Sequence, residues 1–177
     1  PDGAMYVYRY VYASQQLVED LASIIKRCSE GESIEATVAD HDAEDAATLR
    51  RHGIPCTPAS KSIIRNIDLV STRLRPQGPY HRPRLFVMDD ALVAVDESLQ
   101  EAGNPWKIEQ EFDLYARKPQ RADKMASELP MDKDNHALDA LGYACAYVDL
   151  RSRDDTPMAP IHINRMFDRR RDLISSL

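Results

Sequence analysis

Asp139 and Asp40 are the two residues whose surroundings in the sequence could do chemistry. Asp134-Asn135-His136-Ala137-Leu138-Asp139-Ala140-Leu141-Gly142-Tyr143-Ala144 reads as the opening of a helix. The spacing sets His136, Asp139, Ala140 and Tyr143 on one face at i, i+3, i+4 and i+7, and Asp134 or Asn135 suits the cap. Leu138, Leu141, Ala144, Cys145 and Val148 mark a helix packed on a core. A carboxylate against that core is costly unless a cation or a hydrogen-bond network compensates it, so Asp139 is a candidate metal ligand. An Asp near a helix start also serves the helix dipole, and spacing alone leaves both readings open. Ile34-Glu35-Ala36-Thr37-Val38-Ala39 alternates like a buried strand with Asp40 at its carboxyl end. His41, Asp42, Glu44 and Asp45 open a helix that runs through Leu49 and ends near Gly53. Open α/β sheets place chemistry at the carboxyl ends of strands. A strand-end Asp and a helix Asp converging over a sheet is how two-metal phosphoryl-transfer sites are built.

Val38-Ala39-Asp40-His41-Asp42-Ala43-Glu44-Asp45, followed by Leu49, Gly53-Ile54, Pro58-Ala59 and Lys61, resembles the second acidic motif of the large terminase subunit of tailed bacteriophages. Residues 135–144 resemble the third. The order between them also resembles the family: strand, helix, Gly-Ile, short strand, Lys, helix, a long variable segment, then the His-x-x-Asp helix. The resemblance implies an RNase H-like mixed sheet flanked by helices, over residues 1–151. Beyond it a basic tail with a weak helical stripe is expected, residues 152–177. It also implies a DNA endonuclease that cuts concatemeric viral DNA. Asp40 and Asp139, with His136 as ligand or proton carrier, would serve two Mg²⁺ or Mn²⁺ ions. The family's first acidic strand has no counterpart here, Asp2 is a poor substitute for it, a diverged member would use Asp2 or Asp42 instead, and no phosphate-binding Gly-rich Lys loop occurs. The chain is therefore expected to be the nuclease piece of a longer polypeptide. Implied partners are double-stranded DNA and, in the parent protein, a packaging ATPase domain, the small terminase subunit and the portal. The implied location is the cytoplasm of an infected or lysogenic bacterial host.

Rival readings keep the acidic geometry or discard it. A resolvase or transposase of the same fold would share the carboxylates but prefer branched DNA or DNA ends. A non-catalytic module would contact DNA or portal without metal. No Gly-x-Ser-x-Gly or comparable nucleophile motif supports a general hydrolase.

The elements that must position these residues are legible by period. Residues 5–13 alternate as a strand with Met5, Val7, Arg9 and Val11 on one side and Tyr6, Tyr8, Tyr10 and Tyr12 on the other. The tyrosines form either a face covered by a helix or a stacking platform for bases. Ser14 is the expected cap of a helix over 15–28 with the stripe Leu17, Leu21, Ile24 and Ile25. A second amphipathic helix spans 62–74 through Ile63, Ile64, Ile67, Val70 and Leu74. Arg73, Arg75, Arg82 and Arg84 surround the loop 76–81, which is suited to phosphate or is ordinary surface. Strands are expected over 84–88 and 114–117, with a helical or looped insertion after the first. Lys61, Arg82, Arg84, Arg117, Lys118, Arg121 and Lys124 are the candidate DNA contacts, the last four in a Pro-containing basic segment before the Asp139 helix.

The 177 residues, 43% apolar and 29% charged, suffice for one domain with a core. A net charge of −6 argues against a globally basic DNA surface, so binding would depend on local cations and metal ions. Three widely spaced cysteines lack zinc spacing and point to buried, reduced thiols. No apolar run reaches membrane-spanning length, and no secretory segment is present.

Overall fold

A computed structural model describes residues 3–115, 135–151 and 161–164, with backbone only for 150, 151 and 161–164. The described chain is a mixed α/β structure of short parallel strands and six helices. Its elements run β1 (Met5–Val7), α1 (Val18–Cys28), β2 (Ala36–Ala39), α2 (Ala43–Arg51), β3 (Cys56–Pro58), α3 (Ile63–Leu74), β4 (Leu85–Val87), α4 (Glu97–Glu101), α5 (Ile108–Leu114), α6 (His136–Arg151) and β5 (Ile161–Asn164).

The strands form two sheets, β1–β4 and β3–β2–β5, and every strand pair in them is parallel. A single mixed sheet was the expectation from sequence, and the described residues do not form one. Residues 161–164, expected in a helical tail, instead pair with β2 along its whole length, Ala36 opposite Ile161 and Ala39 opposite Asn164. Leu114, expected to open a strand, is the last residue of α5.

Helix α6 lies between the sheets. It is apolar nearly all round, with Leu138, Leu141, Gly142, Tyr143, Ala144, Cys145, Ala146 and Val148 buried, which is the mark of a central helix rather than a surface one. Leu138, Leu141 and Cys145 join Val70, Leu85 and Ile108 in one cluster, against which Met5 and Val7 of β1 and Val87 of β4 pack. Around Tyr143 the opposite side meets Val38 of the second sheet and Ala59 just after β3.

Local chemistry sets several boundaries away from the simple patterns. Ser14 does not cap α1. Its N–H and hydroxyl donate to Asp96 Oδ2 at 2.8 and 3.1 Å, and the helix starts at Val18. The inward stripe is then the buried Ala22 with half-buried Val18 and Ile25, against Leu49 and Ile54, while Leu17 is 51% exposed. Helix α2 begins at Asp42, whose side chain accepts from the amides of Glu44 and Asp45. It ends on Gly53 at φ 78°, with Ile54 N–H donating to the Leu49 carbonyl at 2.9 Å. A left-handed residue there costs glycine little and turns Ile54 back into the core.

In β1 the alternation holds only as far as Tyr8. Backbone bonds between Tyr10 and residues 91 and 93 re-register the chain, so Tyr10 packs on the core and Tyr12 is buried. Tyr6 and Tyr8 stay 53% and 45% exposed, so no described helix covers that face. Tyr6 stacks on Phe86 with ring centroids 5.1 Å apart.

Candidate functional site

Parallel pairing brings the carboxyl ends of β2 and β3 together. Ala39 lies opposite Pro58, and Ala59 N–H donates to the Ala39 carbonyl at 2.8 Å. Asp40 and His41 therefore emerge at the same end of the sheet as Ala59, Ser60 and the exposed Lys61. Thr37, Val38 and Ala39 are buried behind Asp40, so the strand holds the carboxylate at the boundary between core and solvent.

Asp40 is tied down by its neighbours. Its Oδ1 accepts the His41 amide at 2.8 Å and the Tyr143 hydroxyl at 3.3 Å, and it faces His41 Nδ1 at 3.2 Å. Tyr143 is buried on α6 one turn after Asp139. The phenol thus joins the strand-end carboxylate to the helix face that carries the second one. Asp139 is half-buried, and its Oδ2 faces Asn135 Nδ2 at 3.4 Å.

Glu111 controls where that helix begins, and sequence reasoning did not single it out. Its carboxyl, 0% exposed, takes the Tyr12 hydroxyl on Oε1 at 2.5 Å and the Leu138 amide on Oε2 at 2.9 Å. The amides of Ala137 and His136 also donate to it. It occupies the place of a capping side chain, supplied by α5 to the amides left unpaired at the start of α6. Burial pushes its pKa above the ordinary carboxylate value, and the four donors only partly oppose this. A signal for it existed in the sequence: Ile108, Glu111, Phe112 and Tyr115 fall at i, i+3, i+4 and i+7, which sets Glu111 in an apolar stripe.

The remaining sequence candidates separate. His136 is the first residue of α6 and is half-buried. Asp42 is the α2 cap, with its Oδ1 committed to two amides. Arg82 and Arg84 belong to the turn ahead of β4, beside the other sheet. Arg84 is half-buried with Nη2 on Gln77 Oε1 at 3.0 Å. Arg73 is removed from any phosphate-binding role, because it is buried and bonds Asp149 Oδ1 at 2.6 Å and the Gly3 carbonyl at 3.1 Å. Arg117, Lys118, Arg121 and Lys124 lie outside the described residues.

Carboxylates are donors that suit Mg²⁺ or Mn²⁺, ions that keep several waters beside one or two carboxylates. Among the described residues no three His, Cys, Asp or Glu side chains gather as a metal set. His136 is therefore not brought together with Asp40 and Asp139 in a three-ligand cluster. Among the described residues, too, no helix is long and apolar enough to cross a membrane. Comparison with known proteins finds no matching family model, no matching curated protein and no matching solved structure.

Proposed function

We propose that this chain is a divalent-metal-dependent endodeoxyribonuclease domain of the terminase type, RNase H-like in plan, that acts on double-stranded viral DNA. The observation that carries the reading is the Tyr143 hydroxyl on Asp40, one helical turn from Asp139. It ties a strand-end carboxylate to the helix that carries a second carboxylate, at the carboxyl end of a parallel sheet, where such folds place their chemistry.

Asp40 and Asp139 would hold Mg²⁺ or Mn²⁺, and two ions would require ligands besides this pair. Bound metal supplies positive charge to the phosphate oxygens as negative charge develops on them. The protein residues do the positioning. Tyr143 fixes the rotamer of Asp40 by its hydrogen bond. Glu111 anchors the first turn of α6 and so sets the height of Asp139 and His136. His136, at that first turn, is the candidate to move a proton or to add a ligand.

Asp40→Asn and Asp139→Asn are each expected to lose plasmid cutting in Mg²⁺ and Mn²⁺, with thermal midpoints close to the parent. Full cutting by both variants would overturn the assignment. The absence of a third gathered ligand among the described residues favours a second reading, a non-catalytic module that contacts DNA or portal. Duplex binding without cutting, unchanged by either substitution and by removal of divalent ions, would select it.

A further inference from the structure

A cleft of about 210 Å³ opens at Asp40 and runs between α2 and β3, lined by Asp40, His41, Ala46, Arg50, Thr57 and Pro58 among others. Sites that engulf a small molecule usually enclose roughly 300–1,000 Å³, and this open cleft is smaller. Arg50 stands in the last turn of α2, at the far end of the cleft from Asp40, and is exposed. Among the described residues no carboxylate lies within ion-pair distance of it, in contrast to Arg9 and Arg73.

The spacing is informative. Ala43, Ala46 and Arg50 line the cleft from one helix face, and the seven rises from Ala43 to Arg50 span about 10 Å. A strand with one phosphate at Asp40 would carry a following phosphate of the same strand toward Arg50 at the other end of the cleft. A guanidinium is the side chain best shaped for it, because its planar fork can bond two phosphate oxygens at once. Asp40 and Asp42 repel phosphate at the opposite end, so the strand seats there only with a divalent cation present.

We propose that this cleft is the track for one DNA strand and that Arg50 is its phosphate anchor. This rests on the nuclease reading above and names the path of its substrate.

The test is fluorescence anisotropy of a labelled 20-base-pair duplex in Ca²⁺ over a series of salt concentrations. Arg50→Ala is expected to weaken binding about fivefold and to reduce the slope of log affinity against log salt by about one. Arg50→Lys should restore most of the slope, and circular dichroism should be unchanged because the side chain is exposed. An unchanged affinity and slope in Arg50→Ala and Arg50→Gln, with Asp40→Asn still abolishing cutting, sinks the track and leaves the nuclease standing. A reduced slope in Arg50→Ala, with Asp40→Asn and Asp139→Asn cutting like the parent, keeps Arg50 as a DNA contact and sinks the nuclease. A parent chain that binds no duplex overturns both.

Discussion

Glu111 is a carboxyl sealed from water and surrounded by donors, and the balance between those facts fixes how the chain responds to pH. Burial raises its pKa above the ordinary value near 4.5, against the pull of Tyr12 and the α6 amides. A group that holds its proton more tightly when folded contributes most below its unfolded pKa. That contribution is lost as pH rises through the folded value. The stability advantage of the parent over Glu111→Gln is therefore expected to shrink as pH is raised from the unfolded carboxylate range. Urea midpoints measured across that range check it, and a pH-independent difference would refute it. Glu111→Ala leaves the Tyr12 hydroxyl and the Leu138 amide without this partner and should cost about 1–3 kcal/mol. Cys145 gives a complementary readout. Burial pushes its thiol up to about 11, with Asp149 adding to the rise and Arg73 opposing it. It should resist alkylation at pH 8 until the chain unfolds, whereas the half-buried Cys28 and Cys56 react first. At this scale the sequence was readable where residue type and spacing coincide. Asp40, Asp139 and the shared face of Tyr143 followed from a strand end and a helical period. The Tyr12–Glu111–Leu138 link did not, because it joins three segments that are distant in the chain.

Helices α3 and α6 show how a polar pattern can be the packing pattern. The apolar residues of α3 predict Ile63, Ile64, Ile67, Val70 and Leu74 as its buried stripe, of which Val70 is buried and Ile67 half-buried. Ile63, Ile64 and Leu74 are exposed, and the inward face is Asn66, Val70 and Arg73 at i, i+4 and i+7. Two partners on α6 account for this. Gly142 lets the helices approach so closely that a Cβ built on it would lie 2.9 Å from Asn66 Cβ. Asp149 then meets the Arg73 guanidinium two turns further on. Periodicity ranks residues by apolarity and cannot anticipate a polar residue satisfied by another element. Gly142→Ala should cost about 1–3 kcal/mol by forcing the helices apart, read as a lowered thermal midpoint. An unchanged midpoint would mean that α3 shifts freely. Arg73→Met takes the guanidinium away from Asp149 and from the Gly3 carbonyl, and about 1–3 kcal/mol is expected. If the ion pair carries that loss, Arg73→Met combined with Asp149→Leu should cost less than the sum of the two single variants in a double-mutant cycle.

At the scale of the molecule, α6 is the element that both sheets share, so the acidic helix and the core are one object. Anything that shifts α6 shifts Asp139 relative to Asp40. The alternation of strands and helices was legible, but the expected single mixed sheet was not what formed, since every described strand pair is parallel. The division into two sheets and the strand at Ile161–Asn164 were not legible, because pairing between distant strands is decided by tertiary competition that no local pattern records. Ile163→Pro tests the role of that strand. Proline disrupts a strand ladder, so the variant should aggregate at lower temperature than the parent as the edge of β2 is uncovered. Light scattering during a thermal ramp measures it. A parent-like onset would mean that β2 does not depend on this partner.

The pairing of Ala36 with Ile161 also has a kinetic meaning. More than half the chain separates these two strands, and loop closure of that length precedes any reward from the contact. During synthesis β2 and β3 can pair early, with the other edge of β2 open until β5 is made. The second sheet should therefore complete slowly. A pulse of hydrogen exchange during refolding should find the amides of α1 and α2 protected before those of β2 that face β5.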